Sequence, residues 1–302
     1  MAVKITDVTL RDGLQMEAKV YSNQEKYDLF RRLCACGYDR LEVTSFVHPK
    51  WIPQFQDAEG FLNRVSQDRD VPELMAFVPN AKGFERLMKF PIPWVSTFVA
   101  ASETFNQKNI NASIDDTVNE IRLLLELTRK EKKFLRVYVS TVFGCPFEGG
   151  TDQTKLLYLL KKVAELGPDE VALSDTIGVA LPVQVKRIVG EFSKMFPLNK
   201  TALHFHNTYG MALANIQAGY EAGVRNFDGS TGGVGGCPYA KGATGNVASD
   251  EVMYLFLREG KEHGFDLAAT QNVYGQLKRM GIEIQSHIYD ITSRGGMLYG
   301  DG

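Results

Sequence analysis

The sequence predicts a closed (β/α)8 TIM barrel followed by a C-terminal helical extension. Three observations carry that reading. A short β-branched run followed by an amphipathic helical run recurs eight times over roughly 260 residues, close to the usual size of such a barrel. No GxGxxG fingerprint follows the first strand, which argues against a doubly wound open sheet. No linker or low-complexity stretch divides the chain, so one domain is expected over 1–302, with the barrel over about 3–263 and the extension and tail over about 264–302.

The elements follow in order. Residues 3–10 read as the first strand and 24–36 as the first helix, ended by Gly37. Strands at 40–44, 73–78 and 94–100 alternate with helices near 57–66 and 81–89. A long helix to about 132 opens at Ser113, a residue suited to cap it. Strands at 134–141, 170–174, 201–206 and 224–228 then alternate with helices near 152–166, 182–195 and 210–222. A helix near 249–263 completes the repeat, and a further helical run spans 267–280. The tail at 293–302 is rich in glycine and is expected to be loose.

The 44% hydrophobic fraction of these 302 residues can fill a large core. A formal net charge of −2 and a pI near 6.2 exclude a general nucleic-acid or membrane surface. Four cysteines, Cys34, Cys36, Cys145 and Cys237, do not make a disulfide framework, and Cys34-x-Cys36 has the wrong spacing for a CxxC pair. The first residues run straight into a strand without a signal or transit pattern, and no apolar run would span a bilayer. A reducing, cytoplasmic setting is expected.

In a strand, alternate side chains share a face, so His204 and His206 point one way while Leu203 and Phe205 point the other. Two such imidazoles are either metal ligands or ordinary polar residues at a strand end. In barrels of this type chemistry sits at the C-terminal strand ends. The unusual polar residues fall there: Arg11, Asp12 and Gln15 after strand one, Glu42 on strand two, Tyr138 and Ser140 on strand five, Asp175 and Thr176 after strand six. Asp12 is the natural anionic partner of the two histidines. A carboxylate and two imidazoles, completed by an amide oxygen and open positions, suit Mg²⁺ or Mn²⁺, with Co²⁺ or Zn²⁺ as alternatives. Such an ion would act as a Lewis acid on a bound hydroxyl. Arg11 could stabilise an enolate or carboxylate oxygen; its structural role would be a salt bridge to Glu42. Cys237 lies in a loop with glycines on both sides, where a thiol could act as acid or base or could be inert.

The motifs Arg11-Asp12-Gly13-Leu14-Gln15, Glu42-Val43-Thr44-Ser45-Phe46 through Trp51, Lys108-Asn109-Ile110-Asn111, Asp175-Thr176-Ile177-Gly178, His204-x-His206 and Gly235-Gly236-Cys237-Pro238-Tyr239 through Asn246 together resemble the 3-hydroxy-3-methylglutaryl-CoA lyase family, over nearly the whole chain. The resemblance implies that Asp12, His204, His206 and Asn246 hold a divalent cation, that Arg11 stabilises the enolate of the leaving acetyl-CoA, and that Cys237 is the acid or base. It implies supporting roles for Glu42, Asp175 and His204 in proton transfer and orientation, and substrate contacts for Gln15, Tyr138, Ser140 and Thr176. The implied partner is an acyl-CoA thioester, with a homodimer as the family habit and Lys50 and Lys108 as candidate phosphate contacts; no nucleic-acid or membrane partner is implied. The chain departs from the family at Asn207, where the family has Asp, at Met16, and at Val8-Thr9-Leu10. These departures leave the substituent at C3 of the substrate open. An acetyl-CoA condensing enzyme acting on a 2-oxo acid and a non-catalytic metal-binding barrel are the competing expectations.

Overall fold

Parallel strands need cover on both faces, and most of the eight runs are buried along their length. The computed structural model describes residues 2–236, 244–261 and 264–296. Its strands β1 (Lys4–Asp7), β2 (Arg40–Ser45), β3 (Glu73–Phe77), β4 (Trp94–Ala100), β5 (Phe134–Ser140), β6 (Glu170–Asp175), β7 (Thr201–Phe205) and β8 (Asn226–Gly229) pair in sequence order. The barrel closes where β8 pairs with β1, Asp228 opposite Thr6. One set of alternating residues, including Leu41, Val95, Val137, Leu173, Leu203 and Phe227, joins the main apolar cluster with helix residues such as Leu124, Leu160, Ile188 and Phe256. The other set points at the barrel axis and is largely polar: Glu42 bonds there to Ser96 and Tyr138, Asp228 to Arg136 and His204, and Glu170 to Arg136 and Arg40. Ala172 and Ala202, small residues, leave room for Tyr138 and Phe98 to pack beside them.

Around the barrel run α1 (Asn23–Leu33), α2 (Ala58–Val65), α3 (Ala81–Leu87), α4 (Glu103–Ile110), α5 (Ile114–Lys130), α6 (Gln153–Leu166), α7 (Pro182–Phe192), α8 (Ala212–Glu221) and α9 (Ser249–Arg258). The extension adds α10 (Thr270–Met280) and α11 (His287–Ser293). Ser113 caps α5 as expected, its hydroxyl accepting from the Asp116 amide at 3.1 Å. Ser22 and Glu25 form a capping box on α1.

Four elements differ from the sequence expectation. β1 ends at Asp7 rather than at residue 10. The Asp7 carboxylate accepts from the Thr9 amide at 3.0 Å and turns the chain out of the strand. The amides of Arg11, Asp12 and Gly13 then all point at the Val8 carbonyl, at 3.1, 2.8 and 3.1 Å, in a single π-helical turn over Thr9–Gly13. β8 begins at Asn226, because the Val224 amide is taken by Gly219 in the preceding turn. The helix α4 was not expected: it carries only Phe105 and Ile110 as apolar residues, too few for a visible period, yet Ser102 caps it and Asn111 closes it at φ 54°. Nor was α11 expected; it is a short helix capped by Ser286. Residues 262–263 of the predicted ninth helix and 297–302 of the tail lie outside the described residues.

Candidate active site

Strand alternation delivers the two histidines as expected. Their ring centres lie 5.4 Å apart at the end of β7, while Leu203 and Phe205 are buried on the opposite face. The π-helical turn after β1 brings Asp12 to them: its Oδ2 is 3.5 Å from His206 Nε2. One ligand atom from each of Asp12, His204 and His206 lies within 4.8 Å of the others, and this is the one such cluster among the described residues. Asn246 pairs with His206 as an isolated bridge and donates from Nδ2 to Asp12 Oδ2 at 2.9 Å and to the Val234 carbonyl at 3.2 Å. Its Oδ1 is buried without a hydrogen-bond partner, as is His206 Nδ1. A buried acceptor left open beside a carboxylate and two imidazoles is costly unless something binds it. The mixed oxygen and nitrogen set fits a divalent cation. Burial works to raise the Asp12 carboxyl, but Arg11 and the two histidines outweigh it and hold the group well below the usual carboxylate range.

Arg11 and Glu42 form the salt bridge that the sequence offered as the structural alternative, Nε to Oε2 at 2.5 Å. Arg11 Nη1 also reaches Asp12 Oδ1 at 2.7 Å. The guanidinium lies 5.3 Å from the ring centres of both Phe77 and Tyr138. Glu42 is fully buried; it accepts from Ser96 and, at 3.2 Å, from Tyr138. These bonds fix the plane of Arg11 while using two of its five donors, so the fork is both held and available.

The barrel axis below holds residues that the sequence reading did not single out. His204 Nδ1 lies 3.2 Å from Asp228 Oδ2. Arg136, fully buried, grips Asp228 in a bidentate pair at 2.7 and 2.6 Å. Arg136 also meets Glu170 at 3.1 Å, and Glu170 meets Arg40 at 2.9 Å. Arg40 stacks on Trp94 at 3.6 Å. Burial would raise the Asp228 carboxyl, yet Arg136 and His204 bring it below its ordinary value. A carboxylate on Nδ1 selects the His204 tautomer that leaves Nε2 free toward the Asp12 side. The signal available in the sequence was an acid two residues into the last strand, on the alternation that faces the axis.

Of the remaining predicted residues, Asp175 ends β6 beside β7, and its backbone carbonyl accepts from the His206 amide at 3.0 Å. Its Oδ2 accepts from the Ala180 amide at 2.7 Å while Oδ1 is buried and open. Burial raises its pKa. The Thr176 hydroxyl is likewise buried without a partner. Ser140 is buried at the end of β5, and Gln15 is half-buried after the π-helical turn. Cys237 lies outside the described residues. Asn207 does not face the cluster through any hydrogen bond: its Oδ1 accepts from the Ala212 amide at 3.2 Å and so serves the start of α8. Lys50 is exposed on the loop after β2, and Lys108 lies 4.2 Å over the Phe147 ring.

Known proteins resemble this chain in sequence and in fold. The chain is 42% identical over 253 residues to the 3-hydroxy-3-isohexenylglutaryl-CoA/hydroxymethylglutaryl-CoA lyase of Pseudomonas aeruginosa, covering 84% of each. The HMG-CoA lyase structure from Bacillus subtilis superposes with a TM-score of 0.92 at 35% identity, over 97% of this chain and 98% of that one. An HMG-CoA lyase from Acinetobacter baumannii, solved with coenzyme A and 3-methylmalate, gives 0.91 at 32% identity over 100% and 97%. The family model described as HMGL-like matches residues 2–275. The chain belongs to the HMGL-like family.

Proposed function

We propose that this protein is a divalent-metal-dependent carbon–carbon lyase that cleaves 3-hydroxy-3-methylglutaryl-CoA, or a homologue with a larger C3 substituent, to acetyl-CoA and a 3-oxo acid. The observation that carries the reading is the open Asn246 oxygen beside Asp12, His204 and His206, with the Arg11–Glu42 pair on the same rim. Asp12, His204, His206 and Asn246 hold the cation, Mg²⁺ or Mn²⁺ by their hard oxygen and imidazole donors, with Co²⁺ or Zn²⁺ as alternatives. When bound, the cation supplies Lewis acidity at the substrate's C3 hydroxyl. Asp175 takes the hydroxyl proton, the freed O–H electron pair closes the C3 carbonyl, the C2–C3 bond breaks, and its electron pair passes into the thioester enolate. Arg11, immobilised by Glu42 and Asp12, directs its remaining donors at the enolate oxygen. A proton from Cys237 then completes acetyl-CoA. Asp175, with an open buried oxygen, assists transfer at the hydroxyl. Gln15, Tyr138, Ser140 and Thr176 line the substrate, and the coenzyme A portion extends past Lys50, on the loop after β2, and Lys108, on α4.

Metal-replete protein should release acetyl-CoA and acetoacetate from 3-hydroxy-3-methylglutaryl-CoA, or the matching 3-oxo acid from a homologous thioester in a substrate panel. Absence of product from every member would overturn the reading. Arg11→Ala should lower kcat about 10²- to 10³-fold, the usual loss for an oxyanion donor. Cys237→Ala should lower turnover by about 10²- to 10⁴-fold while leaving metal content unchanged, and full activity in both variants would refute the assigned chemistry. The same reading treats residues 1–302 as one unit of barrel plus extension, acting in the cytoplasm as a homodimer. No helix among the described residues is long and apolar enough to cross a membrane.

A further inference from the structure

Residues 282–286, between α10 and α11, lie against both described stems of the glycine-rich loop. The Gln285 amide donates to the Gly232 carbonyl at 2.7 Å, and its side-chain Oε1 accepts from the Gly245 amide at 3.4 Å. A Cβ on Gly233 would lie 2.9 Å from the Gln285 carbonyl, so the two backbones are in direct contact. Asp250 ties the same corner: it accepts from the Gly232 amide at 2.7 Å, from the Tyr274 hydroxyl at 2.7 Å and from Ser286. The stem Gly245–Asn246 is in turn pinned from the barrel side, where the Asn207 amide donates to the Gly245 carbonyl at 3.0 Å and the Val247 amide to the Phe205 carbonyl at 3.0 Å.

We infer that Gln285, a residue of the extension and not of the barrel, is a positioning residue for the metal site, setting the place of Asn246 by holding Gly245 to Gly232. The inference rests on the proposed role of Asn246 as a ligand. The geometry behind it is a lever of one residue. Gly245 precedes Asn246, and its N–H is the group that Gln285 holds. Asn246 Oδ1 has no partner of its own to fix it. Its Nδ2 is shared between Asp12 and the Val234 carbonyl, so a shift of the stem moves the amide relative to Asp12 and His206. Gln285 is itself anchored, through its own backbone bond to Gly232 and through the bond of Ser286 to Asp250.

The test is Mn²⁺ binding to the metal-free full chain, read by the free-ion electron paramagnetic resonance signal, with no substrate present. Gln285→Met keeps the bulk and removes the acceptor; Gln285→Glu keeps an acceptor. The wild type should bind one Mn²⁺, Gln285→Met should bind about tenfold more weakly, the low end for loss of a supporting contact, and Gln285→Glu should bind at least as tightly as the wild type. The thermal midpoints of the metal-free variants should agree with that of the wild type. Equal affinity in Gln285→Met and wild type would overturn the inference, as would equal weakening in both variants. A wild type that binds no Mn²⁺ would instead refute the ligand set on which the inference stands.

Discussion

An imidazole that serves a metal with one nitrogen generally hands the other to a hydrogen-bond partner. At His204 that is Asp228, itself held by two bonds from Arg136. Asp228→Asn keeps an acceptor but removes the charge, and Mn²⁺ affinity should fall about 10- to 100-fold in an equilibrium titration. Residue types at the strand ends made Asp12, His204 and His206 legible in the sequence, and the family resemblance added Asn246. Asp228 was not legible, because its importance comes from lying across the barrel from Arg136, 92 positions away. Asn207 stands where the family has Asp, and its side chain accepts from the first amide of α8. Asn207→Asp should therefore raise the thermal midpoint slightly, by the roughly 0.3–1 kcal/mol of an acid at a helix N-terminus, and leave kcat near wild type.

At the level of elements, the alternation of β7 and the caps of α5 were readable because each depends on neighbours in sequence. The turn at Thr9–Gly13 was not, since Val8-Thr9-Leu10 has the composition of a strand and is bent by a hydrogen bond to Asp7. Without that bend Arg11 and Asp12 would continue along the strand. The described stems give the loop glycines a reason: a Cβ on Gly235, at φ 123°, would lie 2.7 Å from Asn246 Nδ2, and one on Gly245 would collide with the Gly233 carbonyl. Gly235→Ala should displace Asn246 and reduce both Mn²⁺ affinity and turnover, and a variant with both unchanged would count against close backbone approach as the reason for glycine there.

For the whole molecule, the barrel core is electrostatic along its axis and apolar outside. Arg40, Glu170, Arg136 and Asp228 form an unbroken run of buried ion pairs beneath Asp12, His204 and His206. Removing one partner of such a pair typically costs about 3–5 kcal/mol, because the other charge stays buried. The sign of the pH dependence follows from the shifts. Asp12 and Asp228 sit below their ordinary value of 3.8, so their stabilisation is complete above it and is lost as pH falls toward their folded-state values. Asp7, Asp175 and Asp250 are raised by burial, so their contribution is present below 3.8 and is lost as pH rises through their folded-state values. The gap in thermal midpoint between wild type and Asp228→Asn should therefore be widest near pH 7 and narrow as pH drops below 4. A gap independent of pH would show that the pair acts through packing alone.

The bond from Asn246 to Asp12 joins residues 234 positions apart, across the seam where β8 meets β1. During synthesis the first of these ligands is made early and the last only when most of the chain has left the ribosome. No nascent fragment that ends before the eighth strand can assemble the ligand set. On the proposed reading, the choice of ion would fall to the finished barrel, and metal loading would report that the chain has closed upon itself.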